Sequence, residues 1–292
     1  MATLNIIGCG RVGRTLARLW TQSGAFEVQD VLNAHAASAA AAVEFIGAGR
    51  AAESSGAMRA AAVWLLAPPD DQIARCCAAL AASGRLAVRT IVFHCSGALP
   101  ARELAPASAQ GAAVASVHPL KSFADPAAAV ASFGGTYCAA EGDAAALAVL
   151  RPAFEAIGAK VTDIDPAAKT IYHAASVIAC NYLTALLEAG MRCYEQAGFK
   201  REDAQRMVEP LVRETIDNVF RLGTAQALTG PIARGDDKVV ARQLEALTAS
   251  DLRIAAIYKQ LGGIAVELAR AQGKAGPAAL AAIERLLVDR SR

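Results

Sequence analysis

The segment IIGCGRVGRTLA, residues 6–17, constrains the fold more than any other part of the chain. LNIIG, which leads into it and overlaps its first residues, reads as a strand. RVGRTLARLWTQSG then has helical spacing and stops at Gly24, and FEVQDVL follows as a second strand. Gly8, Gly10 and Gly13 therefore sit at a strand-to-helix turn inside a β-α-β unit, the setting that a dinucleotide fingerprint requires. Gly8 permits a tight turn, Gly10 lets a pyrophosphate approach the backbone, and Gly13 lets helix and sheet pack closely. The helix N-terminus attracts phosphate. Cys9, Arg11 and Val12 join the three glycines as candidate cofactor contacts. A glycine turn without a ligand is the plainer reading, and the flanking strands and helix weigh against it.

The alternation continues through the first half. AASAAAAVEFIGAG reads as a helix, AAVWLLAP as a strand stopped by Pro68 and Pro69, and DDQIARCCAALAASG as a helix capped by Asp70 or Asp71. RTIVFHCSG and GAAVASVHP are further strands, and GTYCAAEG and AKVTDID flank the helix DAAALAVLRPAFEAIG. This pattern predicts an α/β fold, a doubly wound and mostly parallel sheet with helices on both faces. Past Pro166 no strand pattern remains. Helices are predicted at about 167–197, 200–222, 236–247, 250–271 and 277–288, with Asp165 and Pro166 opening the first. The expected organisation is a Rossmann domain over 1–164 and an all-helical domain over 165–292.

Composition excludes several classes. With 292 residues, 54% hydrophobic and 19% charged, the chain can bury a sizeable core. The net charge of +2 is spread without a basic block, which argues against nucleic-acid and anionic-membrane partners. Seven cysteines form no C-x-x-C pair, so reduced thiols in a cytoplasmic protein are expected, with no metal site. The N-terminus has no secretory pattern. The most apolar run, Ile171 to Leu187, contains His173, Ser176 and Asn181 and falls short of the roughly 20 apolar residues of a membrane helix.

Ligands of open α/β sheets bind outside the carboxyl ends of the strands. At the end of the second strand stands Asn33, where an NAD-specific acid would be expected; Asp30 falls too early. His35 and Ser38 follow and suit a 2′-phosphate, so NADP is favoured over NAD. Ala67 and Pro68 form a rigid edge along the cofactor's path. Ser96 and Gly97 offer a hydroxyl and bare backbone near the expected nicotinamide, and His118 ends a later strand. His118 reads equally well as a turn histidine bonded to backbone.

GCGRVG, WLLAPPD, FHCSGAL, SVHPL, YHAASVIACNYL and ALTGPIARGD together resemble Rossmann-like oxidoreductases with a helical C-terminal domain of unassigned function. These lie within the 6-phosphogluconate dehydrogenase-like superfamily, alongside prephenate dehydrogenase, pyrroline carboxylate reductase, ketopantoate reductase and deazaflavin-dependent NADP reductase. The resemblance implies an N-terminal NAD(P) domain, a helical domain that dimerises and an active site between them. Three departures count. Lys169 is followed three residues later by Tyr172, not by the Asn of the hydroxyacid dehydrogenases. The HPL at His118 lacks the glycine expected after the HPM of prephenate dehydrogenases. LTGPIARG only loosely echoes the late segment of pyrroline carboxylate reductase.

KTIYHAASVIACN, residues 169–181, holds the remaining candidates. At about 100° per residue, Lys169, His173, Ser176, Cys180 and Thr184 form one stripe, with Tyr172 beside it and Asn181 roughly 80° from His173. Reduction of a carbonyl or imine needs a proton donor, a role that suits His173. Asn181 is expected to hold a substrate oxygen or orient the histidine, Lys169 to meet a carboxylate at a cleft mouth, and Ser176 to assist. Satisfied core residues are the bland alternative. Farther on, Thr229 and Arg234 are candidates for gripping an anionic substrate, although helix punctuation alone explains Gly230, Pro231, Gly235 and Asp236. The sequence thus favours an NAD(P)-dependent oxidoreductase acting on a small, anionic substrate, as a homodimer joined through the helical domain. A non-catalytic NADP-binding sensor is the alternative.

Overall fold

The central strands are mostly apolar, with His94 the one polar residue in β4 and β5, because both of their faces are covered. Every residue of β4 (Val63–Leu66) is buried, as is every residue of β5 (Ile91–His94). Around them lie β1 (Ala2–Ile7), β2 (Phe26–Leu32), β3 (Arg50–Ala52), β6 (Ala113–Pro119), β7 (Tyr137–Gly142) and β8 (Lys160–Asp163). The computed structural model describes residues 1–288. Its eight strands run in the order β3-β2-β1-β4-β5-β6-β7-β8. Neighbours are parallel except β6 and β7, which pair antiparallel with Ser116 opposite Glu141. β3 is absent from the sequence reading: its residues, Arg-Ala-Ala, carry no β-branched signal, and it is held by pairing with β2 and by the Arg50–Asp30 ion pair.

The helices between strands are α1 (Arg11–Ser23), α2 (Ala36–Ile46), α3 (Asp70–Ala82), α4 (Ala105–Ser108), α5 (Pro126–Ala131) and α6 (Ala144–Glu155). One face of the sheet is anchored by Trp20 of α1. Its indole packs edge-on to Phe26, Phe93 and Phe154, and its Nε1 donates to Ala153 O at 3.0 Å, so the one polar atom of this large side chain is satisfied. The other face gathers Met58, Trp64, Leu66, Ile73, Cys77 and Leu80.

The chain divides into two compact units, Met1–Asn181 and the part from Tyr182 onward. The first unit therefore runs past residue 164, where the sequence placed its end. The reason is α7 (Lys169–Ser176), whose Lys169 side chain is buried against β5 and β6 and whose Tyr172 bonds His118. The second unit contains α8 (Tyr182–Gln196), α9 (Arg201–Leu222), α10 (Thr224–Ala227), α11 (Pro231–Arg234), α12 (Asp237–Ser250), α13 (Leu252–Gln272) and α14 (Pro277–Leu287). No strand occurs in it among the described residues. Its core is Ile232, Val240, Val266, Leu280, Ile283 and Leu287. Asp236 accepts from Val239 N and caps α12, as expected.

Residues Pro166–Gln196 form one continuous helical stretch of 31 residues. A π-type turn, Val177–Asn181, widens it. By length and composition the stretch is apolar enough to cross a membrane, with a mean hydropathy of 1.3 in its best window, contrary to the expectation that no run is. The isolated polar residues interrupt the run but do not lower the average enough. Only 6% of that window is buried.

Candidate functional site

The strand order reverses between β1 and β4, the switch point at which open α/β sheets bind ligands. The glycine loop lies there. Gly8 has φ +82°, and a Cβ built on it would lie 2.3 Å from Pro68 N and 2.8 Å from Ala67 C. Ala67 N also donates to Ile7 O at 2.8 Å. The loop is thus pressed against the end of β4. At Gly10 an added Cβ meets nothing within 4 Å, so this backbone faces open space. At Gly13 the nearest atom is Cys9 Sγ at 3.4 Å, ordinary close packing. No side chain caps the start of α1. These features fit a pyrophosphate: an open backbone at Gly10, and the uncapped first turn of Arg11, Val12 and Gly13 with its positive dipole end.

The second-strand candidates are arranged differently from one another. Asn33 turns back on the loop: its Oδ1 accepts from Cys9 N at 2.6 Å, and its Nδ2 donates to Cys9 O at 3.4 Å. Asp30 is buried and held by Arg50 and Arg59, with Arg59 N at 2.6 Å, so it is committed within the fold. His35 precedes α2 and is exposed, and Ser38 Oγ donates to its carbonyl at 2.8 Å.

Farther along the same sheet edge, Ser96 is bonded through every polar atom. Its N–H donates to His94 Nδ1 at 3.1 Å and its Oγ to Asp70 at 2.7 Å, and that Oγ accepts from Ala98 N and Leu99 N. Its carbonyl accepts from Lys169 Nζ at 3.1 Å. Asp70 therefore lies in the first turn of α3 and serves Ser96; it is not the cap that the sequence suggested. The next residue, Gly97, is where two imidazoles meet. A Cβ there would be 2.5 Å from His173 Nδ1 and 2.9 Å from His118 Nε2, so no side chain fits without displacing them. The two rings stand edge to face at 5.6 Å, and Tyr172 also stands edge to face with His118 at 5.6 Å. His118 Nδ1 lies 3.1 Å from the Tyr172 hydroxyl. His173 Nδ1 is buried with no hydrogen-bond partner.

Electrostatics separates these groups. Burial, reinforced by His173 and Lys169, pulls His118 down to about 4, and burial pushes Tyr172 up to about 12. Near neutral pH the phenol keeps its proton and His118 is an uncharged imidazole. His94 is fully buried, its Nε2 3.2 Å from Pro100 O, and burial brings it down to about 4 despite that bond. A folded-state value below the ordinary 6.5 means that the unfolded chain takes the proton first. This contribution to stability is complete above pH 6.5 and declines as the pH falls to about 4. Urea unfolding of wild type and His94→Gln should show a pH-linked loss smaller by about 3 kcal/mol in the variant. Equal losses in the two proteins would refute this assignment.

Not all sequence candidates assemble here. Lys169 was expected at a cleft mouth; it is fully buried, with Nζ on Ser96 O and, at 2.8 Å, on Ser116 Oγ. The apolar surroundings accept the ammonium because the sheet edge supplies these two oxygens. Ser176 Oγ turns to Tyr172 O at 3.4 Å, as hydroxyls within helices do. Asn181 is exposed, and the π turn Val177–Asn181 changes the angular phase between it and His173 from that of a straight helix. Thr229 and Arg234 belong to the second unit and are exposed. The sequence reading missed Ser116, Glu141, His94 and Asp70 as members of this network. Polar residues inside apolar strands, such as Ser116 in AVASVHP, were the available signal.

The sheet order, the switch point and the loop define a Rossmann-like fold, and residues 2–119 match the model of a Rossmann-like domain. Residues 136–264 match a domain of unknown function, DUF2520, so the chain joins these two domains. The second match begins at β7 and spans α7. No curated protein sequence matches the chain. Among solved structures, protein TM1727 from Thermotoga maritima is similar at TM-score 0.72 and 24% identity, covering 92% of this chain and 99% of that one. An imine reductase from Myxococcus stipitatus in complex with NADP+ is similar at 0.64 and 18%, covering 98% and 100%. A Plasmodium falciparum pyrroline carboxylate reductase with NADP bound is similar at 0.55 and 12%, covering 98% of each chain. At these identities the likeness is one of fold.

Proposed function

We propose that this protein is an NAD(P)-dependent oxidoreductase that reduces, or forms by oxidation, a carbonyl or imine in a small substrate. One observation carries the reading. The buried, unpartnered Nδ1 of His173 meets His118 over Gly97 at the sheet edge that also presents the glycine loop. When bound, the nicotinamide supplies or accepts the hydride. The chain holds its pyrophosphate at Gly8–Gly13 and passes the proton at His173. Tyr172 keeps the neutral His118 in place through its hydroxyl. NADP is the proposed cofactor in preference to NAD, supported by a neutral Asn33 and by His35 and Ser38 at the start of α2. The fold neighbours with NADP or NAD bound support a nicotinamide cofactor in general. Lys169 is dropped as a carboxylate partner, since its ammonium is committed to Ser96 and Ser116.

The test is binding of NADPH and NADH to the whole protein, followed by assay of a panel of carbonyl and imine compounds by loss of reduced-cofactor absorbance. Turnover with NADPH supports the reading. Tight NADPH binding without turnover across the panel would favour a non-catalytic sensor.

The same reading includes a homodimer. In the second unit, large apolar side chains stand in solvent: Tyr182 and Leu186 on α8, Leu211 and Phe220 on α9, and Leu252 and Ile264 on α13, with Phe220 87% exposed. Exposed apolar side chains of this size favour burial against a second copy of the chain. Sedimentation at micromolar concentration should give twice the chain mass, and a monomer would overturn the claim. None of the seven cysteines is joined in a disulfide among the described residues, which supports a reducing compartment such as the cytoplasm.

A further inference from the structure

A fully buried ammonium is rare, because removing it from water is costly unless it is paired and bonded. Lys169 has such a place. It opens α7, and its Nζ donates to Ser96 O, just past the end of β5, and to Ser116 Oγ, within the neighbouring β6. One helical turn later on the same face stands His173, with Tyr172 three residues on. The carbonyl that Lys169 grips belongs to the residue just before Gly97, where both imidazoles are pressed together. A single side chain thus ties the helix bearing Tyr172 and His173 to the turn against which they pack.

We propose that Lys169 is a positioning residue: its buried ammonium locks α7 to the Ser96–Gly97 turn and so sets the spacing at which His118 and His173 meet. It does not touch substrate, since both of its bonds run into the sheet edge. The surrounding charges agree with this. Glu141 on β7 and Asp70 on α3 favour the charged form, as does Cys95 after β5, although burial lowers the lysine's pKa overall. Glu141 is itself engaged, accepting from Ala101 N at 2.6 Å, and Asp70 from Ser96. The groups facing His118 are Lys169, Tyr172 and His173, all from α7, and the positive Lys169 helps to keep His118 neutral.

The proposal's kinetic arm rests on the oxidoreductase reading, and its spectroscopic arm does not. Lys169→Met in the full chain removes the charge and both bonds while keeping all but the last atom of the side chain's length. NADPH affinity should stay within about twofold, because the glycine loop is untouched. The His118 midpoint, followed by side-chain NMR over pH, should rise by roughly one unit. With a substrate in hand, kcat should fall about 100-fold with KM nearly unchanged, as expected when reacting groups lose their alignment. Loss of the charge alone raises His118 in that variant, so position is read from Ser116→Ala, which keeps the ammonium and removes one of its bonds; an upward His118 shift and about a tenfold loss of kcat are expected. A Ser116→Ala protein with the wild-type His118 titration overturns the proposal, whatever happens to kcat. A shifted His118 in Ser116→Ala, in a protein that reduces nothing, leaves the positioning role standing and defeats the oxidoreductase reading instead.

Discussion

His173→Gln should bind NADPH like wild type and lose turnover by about 10²- to 10⁴-fold, the range that a positioned acid–base group contributes. Three groups compete for the proton, and their environments separate them. Tyr172, pushed up to about 12 by burial, keeps its proton and donates only a hydrogen bond. His118, held down at about 4, is neutral at any ordinary assay pH and is already bonded to Tyr172. His173 is the member with an unused buried nitrogen, set against the bare backbone of Gly97, where a side chain would displace it. Glutamine preserves the bulk and a donor but cannot exchange a proton. Steady-state rates beside cofactor titrations make the check, and a variant within threefold of wild type would remove His173 from the chemistry.

Gly8→Ala should damage both stability and cofactor binding. The methyl would meet Pro68 N at 2.3 Å and Pro68 Cα at 2.6 Å, both backbone atoms that cannot rotate away. The positive φ of 82° adds the strain of a left-handed conformation, about 1–2 kcal/mol for alanine. Overpacking adds about 1–3 kcal/mol. A loss of about 2–5 kcal/mol is expected, or roughly 10 °C in Tm for a unit of this size. Relief comes only by prying β1 from β4 at the switch point, so NADPH affinity should fall at least about tenfold. Gly10→Ala is the control: its Cβ meets nothing, so Tm should hold while NADPH binding weakens. Thermal melts with cofactor titrations decide this, and a Gly8→Ala protein with wild-type Tm and affinity would falsify the account of the loop.

The π turn shows why part of the site was illegible in the sequence. A straight helix puts Lys169, His173, Ser176 and Cys180 on one stripe, and the first two do share a face. The wide turn at Val177–Asn181 then shifts the phase, and Asn181 emerges into solvent. No residue in VIACN announces such a turn: the segment has neither Pro nor Gly. Lys169 illustrates a second limit. Periodicity places a residue on a face but does not say whether a long side chain reaches out to water or in to the sheet. The outcome depended on acceptors at Ser96 and Ser116, 73 and 53 residues away along the chain. Long-range partners of this kind leave no local trace.

The sequence by itself determined the α/β architecture, the glycine loop at the end of the first strand and the all-helical second half. Apolar runs, helical spacing and turn residues act over a few neighbours and are readable there. Only the tertiary structure decided that α7 belongs to the first unit, that Lys169 is an internal strut, and that His118, Tyr172 and His173 converge on Gly97. Those outcomes depend on which strand ends become neighbours in the sheet, and hence on which buried polar atoms find partners.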